Sequence, residues 1–183
     1  MTTKEKLIKT TSDLIQTKGY YGTGITEILQ ISGVPKGSLY HHFPKGKDSL
    51  ITEALKYAKD LELERYKKAT FGKRSANGIF LSITNCLANE LVNSNYKKGC
   101  PLSTVALEVA SSNEEIRIVC SDMFVQMENR LAALLRTLKE PKAAEKAGMF
   151  FTLLEGGFLL AKTHRDVKYL TSIILHTKHM LKK

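Results

Sequence analysis

Between Thr23 and Lys47 the chain sets Lys36, Gly37, Ser38, Tyr40, His41 and His42 in one short run. Lysines and backbone amides grip phosphate, and small side chains such as Gly37 and Ser38 let a backbone come close to base edges. The hydroxyl of Tyr40 and the imidazole of His41 can fix a register on the duplex. This is the chemistry of holding a nucleic acid, not of turning over a substrate. No nucleophile elbow, phosphate-binding loop, dinucleotide fingerprint or zinc-protease motif stands anywhere in the chain, so neither an enzymatic reaction nor a cofactor is implied.

Two short helices with a tight turn must carry these residues. Ile25, Ile28 and Leu29 recur at i, i+3 and i+4, and Thr23 precedes them where a hydroxyl can accept from an orphan amide. Gly33 closes that helix in the left-handed conformation, and Pro35 holds Val34 extended, so the chain turns there. The second helix points Leu39 and Phe43 inward at i, i+4. Lys36, Ser38, Tyr40 and His41 are left outside, and His42 faces either the outer surface or the core beneath. An earlier helix opens on the capping box Thr2-Thr3-Lys4-Glu5, carries Leu7, Ile8, Thr11, Leu14 and Ile15 on one face, and stops at Gly19. The expected product is a three-helix head.

The run Gly19-Tyr20, Thr23, Gly33-Val34-Pro35-Lys36-Gly37-Ser38-Leu39-Tyr40-His41-His42-Phe43, Lys47 and Leu50 closely resembles the DNA-binding region of the TetR family of transcriptional repressors. Phe43-Pro44-Lys45-Gly46-Lys47 and Gly99-Cys100-Pro101-Leu102 look like the LmrA-like subgroup. One departure is Pro35, where the family often has Ser or Thr, so a backbone-led helix start replaces a side-chain cap. The resemblance assigns Thr23, Tyr40 and Lys47 to phosphate, and Lys36, Gly37, Ser38 and His41, with His42, to the groove surface. It also implies a homodimer on a palindromic operator, paired through the last two helices. An effector pocket is implied between the connecting helix and the helices after it.

Composition agrees with a polyanionic partner. The 183 residues carry a formal charge of +10, with 43% apolar residues, enough for a core. The basic excess is 14 residues against 8 acidic ones in 1–75, and 14 against 10 in 76–183. Lys4-Glu5-Lys6 opens an amphipathic stretch, not a signal peptide, and no window is long and apolar enough for a membrane span. Cys86, Cys100 and Cys120 are widely spaced and odd in number, which points to a reduced, cytoplasmic protein.

Beyond Pro44 the pattern stays helical, with no repeat and no low-complexity segment. A connector runs from about Lys47 to Ala69. A helix follows that is capped by Ser75, and then a short one led by Pro101. Ser112-Asn113-Glu114-Glu115 reads as a capping box for a long helix striped by Ile116, Cys120, Met123, Met127, Leu131, Leu134 and Leu138. Lys142 to Thr163 forms the next, and Asp166 caps a last helix with Val167, Leu170, Ile173, Ile174 and Leu181 on one side. The expected architecture is all-α: a DNA-binding head of residues 1–47 and a helical effector-binding and dimerisation domain of 48–183.

Phe80, Met123, Phe124, Met127, Phe151 and Phe158 are the candidate walls for a small apolar or aromatic effector, with Glu155 as its polar anchor inside the apolar run Met149 to Leu160. Taken singly, each aromatic or sulfur position is more often core than ligand wall, and Glu155 reads also as an interface or surface residue at the edge of the stripe. Gly156-Gly157 in mid-helix marks a close approach or a kink. Cys100 reads as a buried thiol before it reads as a redox sensor, because only Lys97 and Lys98 could lower its pKa. His176 and His179 share a helical face, but lack the acidic or thiol partners a metal site needs. Two other functions compete with the repressor reading: a small-molecule carrier or sensing module without sequence-specific DNA binding, and a thiol-based redox regulator.

Overall fold

The computed structural model describes residues 1–181, with side chains described as far as Thr177. Among the described residues all regular structure is helical. The chain forms two compact units, Met1–Leu61 with Cys100–Met123 and Glu62–Gly99 with Phe124–Lys183. No described helix is long and apolar enough to cross a membrane.

In the first unit, α1 (Thr3–Lys18) opens on the reciprocal cap expected of it. Thr2 Oγ1 accepts from the Glu5 amide at 3.2 Å, and the Glu5 carboxylate accepts from the Thr2 amide at 2.8 Å. Gly19 ends the helix at φ 67°. The next helix, α2 (Ile25–Ser32), is capped by Gly24 and not by Thr23. Thr23 is fully buried and its hydroxyl donates back to the Gly19 carbonyl at 2.7 Å, so it closes the preceding turn instead. Gly33 then takes φ 66° and ψ 22°, the left-handed stop that the turn requires. Pro35 starts α3 (Lys36–His42) without a side-chain cap. A seven-residue helix has no independent stability. Leu39 and Phe43 fasten it, buried among Leu7, Leu14, Ile28, Val34 and Leu50, and each contributes roughly 1.5–3 kcal/mol. Ile25 and Leu29 reach this core only in part.

From here α4 (Lys47–Thr70) leaves the head; it belongs to the first unit through Leu61 and to the second from Glu62. The first unit is completed by α6 (Pro101–Val109), led by its N-terminal proline, and by the start of α7 (Glu114–Thr137). Asn113, not Ser112, caps α7: its Oδ1 accepts from the Ile116 amide at 3.1 Å. Ser112 is engaged elsewhere, its hydroxyl 2.8 Å from that of Tyr21. The buried stripe of α7 follows Ile116, Cys120, Met123, Met127 and Leu131 as expected, then passes to Leu135 and not to Leu134, while Leu138 lies past the end of the helix. A straight helix drifts against a seven-residue repeat, which moves the stripe round by one position.

The second unit holds α5 (Ala76–Asn93), with Ser75 Oγ accepting from the Gly78 amide at 3.1 Å, and α8 (Ala143–His164). The expected last helix is two pieces, α9 (Lys168–Thr171) and α10 (Ile173–Leu181). Asp166 Oδ1 accepts from the Lys168 amide at 2.9 Å and so serves the first piece. Gly157 is the place of close approach: a Cβ there would sit 2.5 Å from Ile173 Cδ1 and 3.0 Å from the Tyr169 carbonyl. Ile173 is therefore core of its own chain and not an outward face. The side chains of His179 and Leu181 lie outside the described residues.

Candidate functional site

The outer face of α3 carries the residues expected there. Lys36, Gly37, Tyr40 and His41 are exposed, Ser38 is half-buried, and Leu39 alone of this helix is buried. A Cβ on Gly37 would meet nothing within 4 Å, so no internal contact asks for glycine, and the surface there is left open to a partner. His42 is half-buried, its ring 5.1 Å from that of His41, and it lines a cleft of about 500 Å³ with Lys4, Phe43, Lys45 and Glu115 among others. Tyr40 lies against Gly46, at φ 70°, in the turn that leads into α4. Thr23 does not share this face. Its hydroxyl and its amide, which donates to the Tyr20 carbonyl at 3.3 Å, are both committed inside the head.

Lys47, the first residue of α4, is half-buried with its ammonium 4.3 Å from the centre of the Tyr20 ring. Burial pulls its pKa below the ordinary lysine value, against the opposing charges of Asp48 and Glu108. The Tyr20 hydroxyl donates to Asp48 Oδ1 at 2.6 Å, and Asn113 Nδ2 donates to Asp48 Oδ2 at 3.0 Å. Burial first, and then Asp48, push the Tyr20 phenol up to about 12. Beside it, the Tyr21 amide donates to Glu108 Oε2 at 2.8 Å. Sequence reasoning missed this bracket, whose partners stand 65 and 87 residues apart. Nothing local in the sequence signals it.

Of the candidate effector residues, Met123 belongs to the first unit and is buried there. Phe80, Phe124, Met127, Phe151, Glu155 and Phe158 belong to the second. Phe80 is fully buried and stacked on Phe150, centroids 4.3 Å apart and planes 9° from parallel. Phe151 meets the edge of Phe150 at 6.2 Å; Met127 and Phe158 are buried, and Phe124 is half-buried. Glu155 acts on Glu62, which sits in a carboxylate cluster. There Arg65 Nη1 donates to Glu62 Oε2 at 3.1 Å and to Glu90 Oε1 at 2.5 Å, while Glu62 Oε1 is buried with no hydrogen-bond partner. Burial first, and then Glu90, raise Glu62 to about 7, with Tyr66 and Arg65 opposing. An open cleft of about 350 Å³ beside the cluster is lined by Arg65, Cys86, Asn89, Glu90, Asn93, Ser94 and Lys98, and by none of the seven candidates.

Cys100 is half-buried and not buried as expected, and the other two thiols, Cys86 and Cys120, do not have the environment of sensors. Burial lifts Cys120 to about 11, and burial with Glu62 and Glu90 lifts Cys86, so the reactive thiolate is disfavoured at both.

Known proteins match the chain along nearly all of its length. Residues 7–54 match the bacterial regulatory proteins of the tetR family, and residues 79–176 match the C-terminal domain of LmrA/YxaF-like transcriptional regulators. The HTH-type transcriptional regulator YxaF of Bacillus subtilis is 34% identical over 169 residues, spanning 89% of this chain and 86% of that protein. LmrA of the same organism is 30% identical over 185 residues, spanning 98% and 97%. Among solved structures, reduced Escherichia coli NemR superposes with a TM-score of 0.84 at 23% identity, covering 98% of each chain. A regulatory protein TetR from Rhodobacter sphaeroides gives 0.83 at 21%, covering 94% of this chain and 95% of that one. With its head matching the tetR family, its C-terminal half matching the LmrA/YxaF-like domain and YxaF 34% identical over most of both chains, the chain belongs to the TetR family: it is a helix-turn-helix transcriptional regulator, not an enzyme.

Proposed function

We propose that the protein is a cytoplasmic, ligand-responsive repressor that binds a palindromic operator as a homodimer and is released by a small apolar or aromatic effector. The observation that carries the reading is α3, which is fastened by Leu39 and Phe43 while Lys36, Ser38, Tyr40 and His41 face away from that core, with Lys47 beginning the next helix. Residues 1–47 supply the DNA contacts, with Tyr40 and Lys47 on phosphate and Lys36, Gly37, Ser38, His41 and His42 at the groove. Residues 48–183 supply the effector and partner contacts. The similarity to NemR, a protein named a transcriptional repressor, supports the sign of the regulation.

Effector binding belongs to the second unit, where aromatic and sulfur-containing walls lie on α5, α7 and α8 and Glu155 offers a polar anchor. Release of DNA requires that effector bind the DNA-free state more tightly, since equal affinity shifts nothing. The deciding experiment is footprinting on DNA flanking the protein's own gene, repeated with a panel of aromatic compounds. A dyad-symmetric footprint, with half-sites one turn or a multiple of ~34–36 Å apart, supports the reading. Loss of protection with one of the compounds, and loss of that response in Phe158→Ala with operator affinity intact, supports the effector site. A protein that binds the compounds yet protects no DNA is a carrier and not a repressor.

A further inference from the structure

We propose that Asn113 and Asp48 are positioning residues for the DNA-contacting lysine, Lys47, and that they act on it through Tyr20. The inference rests on the reading of Lys47 as a phosphate contact. Asn113 is held at both ends of its amide: Oδ1 accepts from the Ile116 amide at 3.1 Å and Nδ2 donates to Asp48 Oδ2 at 3.0 Å. The reverse orientation would set two oxygens against each other at Asp48 and leave the helix start uncapped, so the chemistry admits only one. Asp48 then turns its other oxygen to the Tyr20 hydroxyl at 2.6 Å, and the Tyr20 ring carries the Lys47 ammonium at 4.3 Å. Four groups in series thus run from the first residue before α7 to the first residue of α4.

A lysine has four rotatable bonds, and fixing its ammonium before DNA arrives removes part of the ordering cost of binding. The ring attracts the cation without neutralising it, so the charge remains available to phosphate. Glu108 braces the same turn, its Oε2 accepting from the Tyr21 amide at 2.8 Å and its charge acting on Lys47. The readiness of Lys47 therefore depends on where α7 begins, a dependence separate from α4 itself.

The test uses the full-length chain and a short mixed-sequence DNA duplex, with affinity measured against salt. Asn113→Asp keeps an oxygen to cap α7 but removes the donor and sets a carboxylate against Asp48. Tyr20→Phe removes only the phenolic hydroxyl. Lys47→Ala should lower the salt slope by about 0.9, one phosphate contact. Asn113→Asp should lower it by a comparable amount and weaken binding several-fold, Tyr20→Phe should move it the same way by less, and neither should add to the loss in a Lys47→Ala background. An unchanged slope in both Asn113→Asp and Tyr20→Phe, or losses that add to that of Lys47→Ala, overturns the inference while leaving Lys47 on phosphate. An unchanged slope in Lys47→Ala itself overturns the reading of Lys47 and the inference together.

Discussion

Glu62 is a carboxylate that folding places where its charge is poorly solvated. Its side chain is 19% exposed, one oxygen has no partner, and Glu90 and Glu155 add like charge against the single guanidinium of Arg65. Its pKa rises from about 4.5 to about 7 in the folded state. Between those values the native protein holds more protons than the unfolded chain, so this group takes stability away as pH rises. The cost is absent below pH 4.5 and complete above pH 7, where it approaches ~3 kcal/mol. Glu62→Gln should therefore leave stability near wild type at pH 4.5 and raise it by up to that amount at pH 8. Urea unfolding of both proteins across this range checks it, and a variant that loses stability at pH 8 would show that the Arg65 pairing outweighs desolvation. The same scale explains why Thr23 was misplaced from sequence. A hydroxyl before a helix can accept from that helix's first amides or donate back to the previous turn, and here it donates to the Gly19 carbonyl while Gly24 takes the cap position.

At the scale of elements, α8 shows how one residue type answers two different demands. Gly156 would meet nothing within 4 Å if it gained a Cβ, whereas Gly157 faces both a side chain and a backbone carbonyl of the α9–α10 segment. Alanine is favoured over glycine in a helix by about 1 kcal/mol, but at position 157 overlap with the Tyr169 carbonyl cannot be relieved by a rotamer change. Gly157→Ala should destabilise the protein by ~1–3 kcal/mol in urea unfolding. A stabilised variant would mean that α9 and α10 yield freely. The pair of glycines was readable as a sign of close approach. What approaches was not, because Ile173 becomes its neighbour only when the chain folds back after His164.

The proposed homodimer needs an apolar face that the fold of one chain leaves exposed. Ile173 cannot be the outward anchor, since it is buried in its own chain. The outer face of α8 carries Met149, Leu159 and Leu160 at 48%, 55% and 45% exposure, and α10 adds Leu175 at 63%. These large apolar side chains stay about half exposed or more in the fold of one chain, which suits a twofold interface. Leu159→Glu should give a folded monomer in analytical ultracentrifugation, with helical content unchanged and DNA affinity much reduced. A variant that stays dimeric would take α8 out of the interface. Substituting Ile173 instead would test the core and not the pairing.

Legible in the residues alone were the helical pattern, the caps of α1 and α5, the left-handed stop at Gly33, the burial of Leu39 and Phe43, and the exposure of Lys36, Tyr40 and His41. Each of these depends on neighbours within a few residues, through hydrogen-bond geometry or a 3.6-residue period. The family was legible for the same reason: its signature is a local spacing. What depended on the packing of the helices is that Asn113 reaches Asp48, that Glu62 and Glu90 share the Arg65 guanidinium, and that Ile173 packs on Gly157. Those pairings join residues well separated along the chain, on different elements. Which of many polar or apolar residues meet is settled by how the helices pack, and no local period encodes that.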